Sequence, residues 1–548
     1  MGARAVLQYS GDVNDLLDPK KKVPGIGERL HEKIVTLINT GKLPYLEELR
    51  ASIPAGLVTL LRIPGMGPKK VKALHDNLGI DSLEKLKAAC EAGEVAKLKG
   101  FGKKTADKIL SGIAFLDTMG NRVRIDLALP LGLALLEQVR KMPGVIRAEV
   151  CGSIRRRRET VKDIDILASA KDAKPIMDAF VSLPEVVQVI GHGPTKSSIV
   201  AAMHAHGEKV TLNADLRVLP DDQFAFGLMY FTGSKEHNIR LRQRAIDRGL
   251  SLNEYALANE KKSVHAKTEA NIYKALGLEY VPPEMREDTG EIDLAERGKI
   301  PGLITAKDIR GLFHNHTTYS DGTASLEEMA LATKKLGHEY FGVADHSQSL
   351  TIARGLPPGT VRKQWAEVDK VNEKLSGVTI LKGTEVDILD DGSLDYKDEL
   401  LAGFDYVVAS VHTNFGMTEA DMTARVCKAL AHPAVTMLGH ATGRLLLKRD
   451  AYKINLEEVL RCAAKHGKMI EINSQPMRLD LDWIHVKRAK EMGIPLVINP
   501  DAHAPSELAF YEFGVDVARR GWLTKEDVFN TRSLKEVMKE LKRRREKS

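Results

Sequence analysis

Two groups of residues carry the types and spacing that chemistry needs. The larger begins at His314 and His316, passes through Asp345-His346, Glu385, His412, His440 and Glu471, and ends at Asp501 and His503. From His316 the successive gaps are 30, 39, 27, 28, 31 and 30 residues, close to one βα unit each. Most of these residues close an apolar run (340–344, 406–411, 435–438, 469–472 and 495–498). On a parallel barrel, positions that end such runs meet at the C-terminal rim of the strands. His314 and His316, two apart on an extended segment, project to the same side. A lone histidine ending a strand is usually a hydrogen-bonded structural residue. Six at one register (His314, His316, His346, His412, His440 and His503), joined by carboxylates and no cysteine, point to Zn²⁺, Mn²⁺ or Fe, and more than four ligands point to more than one ion.

The second group lies in Cys151-Gly152-Ser153 and Asp163-Ile164-Asp165. Strand alternation sends both aspartates to one face and Ile164 and Ile166 to the core. The segment 211–218 alternates likewise and sets Asp215 on a polar face. Three carboxylates on neighbouring strands can hold two Mg²⁺ ions about 3.5–4 Å apart for phosphoryl or nucleotidyl transfer. The Gly152-Ser153 turn could cradle a triphosphate with backbone N–H groups and a hydroxyl. Of the four arginines at 155–158, Arg156 is expected to meet the phosphate; a solvated charged face is the plainer alternative.

The elements that must position these groups follow from a chain of 548 residues, 43% hydrophobic and 28% charged, long enough for three or four domains. No stretch approaches the ~18 uninterrupted apolar residues of a membrane helix, and no signal core follows Met1, so a cytoplasmic protein is expected. Cys90, Cys151, Cys427 and Cys462 form no CxxC pair. The net charge of +7 is uneven: residues 1–310 carry 48 basic against 40 acidic side chains, and 311–548 carry 33 against 34. A basic front suits a polyanion and an acidic rear suits cations. Residues 1–118 read as short helices broken by Gly-x-Gly turns, at Gly25/Gly27, Gly65/Gly67 and Gly100/Gly102. Residues 281–302, rich in acids, Pro and Gly, read as a linker. Beyond it helices alternate with apolar runs, and Gly337, Gly467 and Gly493 stand where left-handed C-caps would fall.

FHNHTTYSDGT, GVADHS, GTEVDIL, SVH, GHATGR and NPDAH resemble the motif series of the PHP (polymerase and histidinol phosphatase) domain across 311–505. That resemblance implies a distorted (β/α)₇ barrel and three ions, held by His314, His316, Asp321, His346, Glu385, His412, His440, Asp501 and His503. Arg444 could hold phosphate, or be an ordinary surface arginine. Gly-Ser followed by Asp-x-Asp is a signature of the nucleotidyltransferase fold. With Tyr230-Phe231-Thr232-Gly233-Ser234 and Asn238, residues 23–275 resemble the family X DNA polymerases.

By that family's pattern Asp163, Asp165 and Asp215 are catalytic metal ligands for Mg²⁺ or Mn²⁺. Gly152, Ser153, Arg156 and Gly233 bind the nucleotide, Tyr230 and Phe231 pack against its sugar, Asn238 meets the base, and Arg242 touches the template. The three glycine turns resemble helix-hairpin-helix motifs, with Gly25, Gly27, Gly65, Gly67, Gly100 and Gly102 approaching DNA phosphate and Lys69, Lys70, Lys103 and Lys104 supplying charge. Lys33 matches the Schiff-base lysine of a lyase domain, although few residues precede its hairpin and a second family lysine is here Arg29.

The expected fold is multi-domain α+β and α/β: a lyase-like helix-hairpin-helix domain (1–56), a second such domain (57–120), a nucleotidyltransferase palm (121–225), a small thumb-like subdomain (226–285), a linker (286–309), the PHP barrel (310–541) and a basic tail (542–548). The expected function is a monomeric, nucleoid-associated repair polymerase acting on gapped or nicked DNA with dNTPs. A separate 3′→5′ exonuclease, extending to abasic-site incision or 3′-end processing, would sit in the barrel. Two rivals are a DNA end-binding scaffold with a decayed polymerase site and a DNA-tethered phosphatase for small esters.

Overall fold

The computed structural model describes residues 26–40, 42–44, 54–61, 63, 66–120, 122–205 and 207–546. Gly25 and Gly65 lie outside the described residues. The chain divides into two compact units, 1–120 and 121–548.

The first unit is helical: α1 (Glu28–Thr40), α2 (Ala55–Leu60), α3 (Pro68–Leu78), α4 (Leu83–Glu91), α5 (Glu94–Lys97) and α6 (Gly102–Met119). Apolar residues at helical spacing (Leu60, Val71, Leu74, Leu86, Val95, Ile109) close its core. Gly67 precedes α3, whose first residue is Pro68, a ring pre-set for a first helical turn. Gly79 ends α3 at φ +62°, a left-handed cap that glycine adopts without a Cβ penalty. Gly100 (φ +90°) and Gly102 (φ +61°) need the same freedom. Lys69, Lys70, Lys103 and Lys104 are exposed beside these two turns.

The second unit starts with α7 (Ile125–Lys141), packed on a five-stranded sheet. Its strands are β1 (Val145–Val150), β2 (Asp163–Ala170), β3 (Val186–His192), β4 (Lys196–Ala205) and β5 (Glu208–Leu219), in the order β1-β2-β5-β4-β3. Between β1 and β2 stands a single helical turn, α8 (Gly152–Arg155). Next come α9 (Phe224–Thr232), α10 (Lys235–Ile246) and α11 (Glu269–Ala275), around a core of Phe226, Leu241, Leu257 and Tyr273.

The stretch read as a linker is packed structure. Val281, Met285 and Ile292 join the same small core, and Arg286 and Glu291 are fully buried. Glu291 faces His237 at 2.6 Å, and His237 reaches the Tyr273 hydroxyl at 2.8 Å, so this buried acid has a partner rather than solvent.

Seven parallel strands follow in chain order: β6 (Gly311–Asn315), β7 (Tyr340–Val343), β8 (Thr379–Asp387), β9 (Tyr406–Ser410), β10 (Met437–Leu438), β11 (Met469–Asn473) and β12 (Leu496–Asn499). The helices α12 (Leu326–Lys335), α13 (Pro358–Lys374), α14 (Glu419–Leu430), α15 (Leu456–Lys465), α16 (Trp483–Glu491), α17 (Tyr511–Arg520) and α18 (Leu534–Glu546) accompany them. Gly337, Gly467 and Gly493 follow α12, α15 and α16 with φ of +90°, +61° and +70°, as their spacing predicts.

Six of these strands, all but β8 with its half-buried Thr379 and Lys382, are buried at every position, as strands covered on both faces must be. The seam between first and last is nearly closed. His316 N donates to Ala502 O at 2.8 Å. Fully buried Asn530 donates to Gly311 O (3.0 Å) and Ile498 O (2.7 Å) and accepts from Ile498 N (3.1 Å). Leaving any of these groups unpaired would cost about 1–3 kcal/mol, so this one amide is a strong closure of the barrel.

Candidate metal centres

The ends of β6 to β12 bring the barrel histidines and carboxylates together. Eight of the nine residues expected there fall into three overlapping sets: His316, Asp321, His346 and His503; His314, His316 and Asp501; and His346, Glu385 and His412. Within each set, one ligand atom per residue lies within 4.8 Å of the others. The ninth, His440, is buried with Nε2 2.8 Å from Glu385 Oε1. Glu385 is the hub: Oε1 also lies 3.3 Å from Nε2 of both His314 and His412, and Oε2 lies 2.8 Å from His346 Nδ1.

A layer of acceptors sets the ring orientations. His314 Nδ1 donates to Glu471 Oε1 at 2.5 Å, and Glu471 is itself held by Asn499 Nδ2 (2.8 Å) and the His440 backbone N–H (2.7 Å). His412 Nδ1 donates to Asp387 Oδ1 at 2.5 Å. Each contact fixes the opposite nitrogen, Nε2, toward the centre, the arrangement metal-binding histidines use. Asp345 instead accepts from the Thr317 backbone N–H (2.8 Å), the Ser320 hydroxyl and the Gln364 side-chain amide (2.6 Å). Glu471 and Asp345 are therefore both engaged by protein donors. Asp387, Asn473 and Asn499 escaped sequence reading because they lie one or two places off the run-ending register.

The donor set fits divalent ions. Nε2 of His314 and Nδ1 of His316 and His440 are buried with no hydrogen bond, a cost that coordination would remove. Burial opposes charge on Glu385, yet His314, His412 and His346 hold its carboxyl well below the usual range. Burial, with His503 and His346 alongside, pushes His316 down to about 3. Burial is outweighed at His412, where Glu385 and Asp387 lift the imidazole to about 10.

The sheet of the second unit carries the other centre. β2 and β5 are parallel neighbours in which Asp165 stands opposite Asp215 and Asp163 opposite Asn213. Asp163 is exposed and the other two half-buried. Burial, reinforced by Asp163 and Asp215, pushes Asp165 up to about 6. Lys196, at the start of β4, meets Asp215 Oδ2 at 2.7 Å and supplies a cation where bound ions would; a single lysine opening a strand gave no signal for this. The triad fits a divalent-ion site electrostatically, because carboxylates that repel one another are relieved by a shared positive charge. Gly152 (φ +61°) abuts this triad, and a Cβ there would stand 2.4 Å from Asp165 Oδ2.

Family models match three stretches: the DNA polymerase beta thumb at 227–287, a SAM-like helix-hairpin-helix tandem at 57–114 and the PHP domain at 313–475. The chain is 37% identical over 544 residues to the DNA polymerase/3′-5′ exonuclease PolX of Bacillus subtilis (strain 168), an alignment covering 99% of this chain and 94% of that protein. The chain belongs to the bacterial family X DNA polymerases with a PHP domain. It is also 31% identical over 245 residues to a "Probable phosphatase" of Thermoanaerobacter sp. (strain X514), covering 42% of this chain and 95% of that one. DNA polymerase lambda of Rattus norvegicus is 28% identical over 295 residues, 48% of each chain. Family X polymerases and PHP enzymes need divalent metals, and family X relatives act on DNA with dNTPs. Among the described residues no helix is long and apolar enough to cross a membrane.

In this family X chain the residues expected to meet the nucleotide and template lie on α9 and α10. Tyr230 and Phe231 meet edge to face at 5.2 Å, with the Arg217 guanidinium 4.7 Å from the Phe231 ring centre. Asn238 Nδ2 donates to Tyr230 O at 2.7 Å, while its buried Oδ1 has no hydrogen bond. Arg242 is exposed on α10.

Arg156, expected to meet phosphate, is engaged by protein acceptors in this structure. Its Nε donates to Glu287 Oε1 (3.2 Å) and its Nη1 to Thr232 O (2.6 Å), beside Gly233. Half-buried Glu287 needs positive partners, and four consecutive arginines in sequence do not reveal that Arg156 and Arg158 are the two that meet it. Arg444 is likewise committed to protein, donating to Arg478 O (3.0 Å), Leu479 O and Glu159 Oε1 (2.8 Å). Lys33 lies half-buried on α1 and Arg29 is exposed there.

Proposed function

We propose that this chain is a DNA-directed DNA polymerase that fills short gaps during repair and carries a separate metal-dependent 3′→5′ exonuclease in its barrel. What supports this most is the coexistence in one chain of an aspartate triad on adjacent strands and a nine-residue histidine–carboxylate centre. In the first site Asp163, Asp165 and Asp215 orient the primer 3′-hydroxyl toward the α-phosphorus of a dNTP, and pyrophosphate leaves. Mg²⁺ or Mn²⁺ held by these carboxylates would supply charge neutralisation at the reacting oxygens. The Gly152 and Ser153 N–H groups and the Ser153 hydroxyl take the triphosphate, Gly233 lets the backbone approach, and Tyr230 and Phe231 exclude a ribose 2′-hydroxyl. Asn238 reads the base edge in the minor groove, and Arg242 steadies the template.

In the barrel, His314, His316, Asp321, His346, Glu385, His412, His440, Asp501 and His503 would hold Mn²⁺, Zn²⁺ or Fe, three ions in all, which would supply the charge stabilisation for hydrolysis of a 3′-terminal phosphodiester. Abasic-site incision and removal of blocked 3′ ends use the same centre. The glycine turns of the first unit grip DNA phosphate without reading sequence, so binding weakens with salt. The protein acts as a monomer in the cytoplasm at the nucleoid, on gapped or nicked DNA.

A gapped, 5′-phosphorylated primer–template with Mg²⁺ or Mn²⁺ tests the reading. Extension with dNTPs and shortening without them are expected. Shortening without extension would leave the scaffold reading, and faster turnover of a histidinol-phosphate-type ester than of a DNA 3′ end would favour the phosphatase reading that the Thermoanaerobacter relative raises. Lyase chemistry at Lys33 predicts that borohydride traps the wild-type protein on abasic DNA and that Lys33→Ala is not trapped; absence of a wild-type adduct ends that proposal.

A further inference from the structure

The connection from β1 to β2 carries the Gly152-Ser153 turn at one end and Asp163 at the other, and its arginines are held from two sides. On the thumb side Arg155 makes a two-pronged pair with Glu269 (3.0 and 2.7 Å), and Arg156 engages Glu287 and Thr232. On the barrel side Arg157 lies 3.7 Å from Asp516 of α17, and Glu159 accepts from Arg444 at 2.8 Å. Between them stands Arg520, the last residue of α17. Its side chain is 1% exposed and lies over the Trp483 ring. Arg520 Nη1 donates to the carbonyl oxygen of Arg156 (2.7 Å) and to Glu287 Oε1 (3.0 Å).

A buried guanidinium is retained only where its partners repay desolvation. Both hydrogen-bond partners of Arg520 lie outside the barrel, in the polymerase half. The Arg156 carbonyl is one residue beyond α8, whose final turn closes through Arg156 N donating to Gly152 O at 3.2 Å. Removing Arg520 frees that carbonyl and leaves Glu287 with one cation fewer. The turn that must aim the N–H groups of residues 152 and 153 then loses one of the contacts that fix its end.

We propose that Arg520 is a positioning residue for the polymerase reaction: through α17 the barrel holds the Gly152-Ser153 turn in the conformation that receives the dNTP triphosphate. This rests on the polymerase reading above and makes the barrel, independently of its own metal centre, part of the polymerase site.

Single-nucleotide incorporation on a gapped primer–template separates the alternatives, using full-length wild type, Arg520→Ala, Arg520→Lys and Asp516→Asn. KM for the dNTP and kcat are read separately, with exonuclease and thermal unfolding followed on the same preparations. A lost buried hydrogen bond to a charged group corresponds to about tenfold or more. Arg520→Ala is therefore expected to raise KM for the dNTP about tenfold with kcat changed less than about threefold, Arg520→Lys to recover part of it, and Asp516→Asn to raise KM about threefold. Exonuclease is expected within about twofold of wild type. Wild type that incorporates nothing refutes the polymerase reading itself. Wild type that incorporates while the folded variants keep KM within about twofold overturns the inference, as does a parallel loss of both activities at unchanged KM. Where Arg520→Ala does not fold, Arg520→Lys and Asp516→Asn decide by the same criterion.

Discussion

An Asp165→Asn variant is expected to lose dNTP incorporation by about 10³-fold or more while its exonuclease stays within about twofold of wild type. Asp165 stands opposite Asp215 in the ladder and shares a face with Asp163, so removing its charge would take away one of the three carboxylates that would hold divalent ions for nucleotidyl transfer. A loss of several kcal/mol in transition-state stabilisation corresponds to that factor. The barrel's histidine–carboxylate sets belong to other strands and another sheet, which is why the activities should separate. Primer extension and 3′-end shortening on one labelled substrate measure both, and loss of both in a folded variant would defeat the two-site assignment.

The same residue has a stability signature in metal-free protein. Its folded value of about 6 lies above the ordinary 3.8, so the folded state binds the proton more tightly than the unfolded state. Stability should rise as pH falls through about 6 toward 4 and decline as pH rises through that window. Asp165→Asn should flatten this part of the pH–stability curve relative to wild type in the presence of EDTA. A slope equal to that of wild type would show that the carboxyl is not strained by its neighbours.

Glu385→Gln is expected to cut exonuclease by more than about 100-fold, to lower the metal bound per chain and to spare dNTP incorporation. Loss of an outer-layer support around a metal typically costs 10–100-fold, and Glu385 stands inside that layer. Its two oxygens lie within 3.3 Å of nitrogens on His314, His346, His412 and His440. The amide retains the shape and removes the negative charge that gathers four imidazoles around cations. Elemental analysis of the dialysed variant, paired with the exonuclease assay, reads both consequences. Unchanged metal content together with unchanged 3′-end shortening would remove the barrel centre from the reaction.

Much of this protein was legible in one dimension. The near-constant gaps from His316 to Asp501 carry the repeat, because a strand, a helix and two turns occupy a narrow length and the strand end is where a barrel opens. Asp163 and Asp165 declared a common face through the period of two that any strand imposes. Gly337, Gly467 and Gly493 marked helix ends because a left-handed residue without a Cβ is the cheapest way to stop a helix.

The failures share a cause. Residues 281–302 looked like a linker because acids, Pro and Gly are common in linkers, yet Glu291 pairs with His237 and Glu287 with Arg156, Arg158 and Arg520. Arg156 was expected to meet phosphate, and Arg444 either to hold phosphate or to be an ordinary surface arginine; both donate to protein acceptors here, since arginine suits carboxylate as well as phosphate and composition does not say which anion arrives.

The sequence by itself determined the alternation of strands and helices, the register of the two ligand groups and the family to which they belong, since these depend on local periodicity and on residue types at short spacing. Only the tertiary structure decided which carboxylates hydrogen-bond the histidine rings, that Asn530 seals the barrel, and that Arg520 reaches from the barrel to the carbonyl of Arg156. Those outcomes depend on pairing between residues up to 364 positions apart, where burial makes an unpaired charge or carbonyl costly and the fold alone selects the partner that removes that cost.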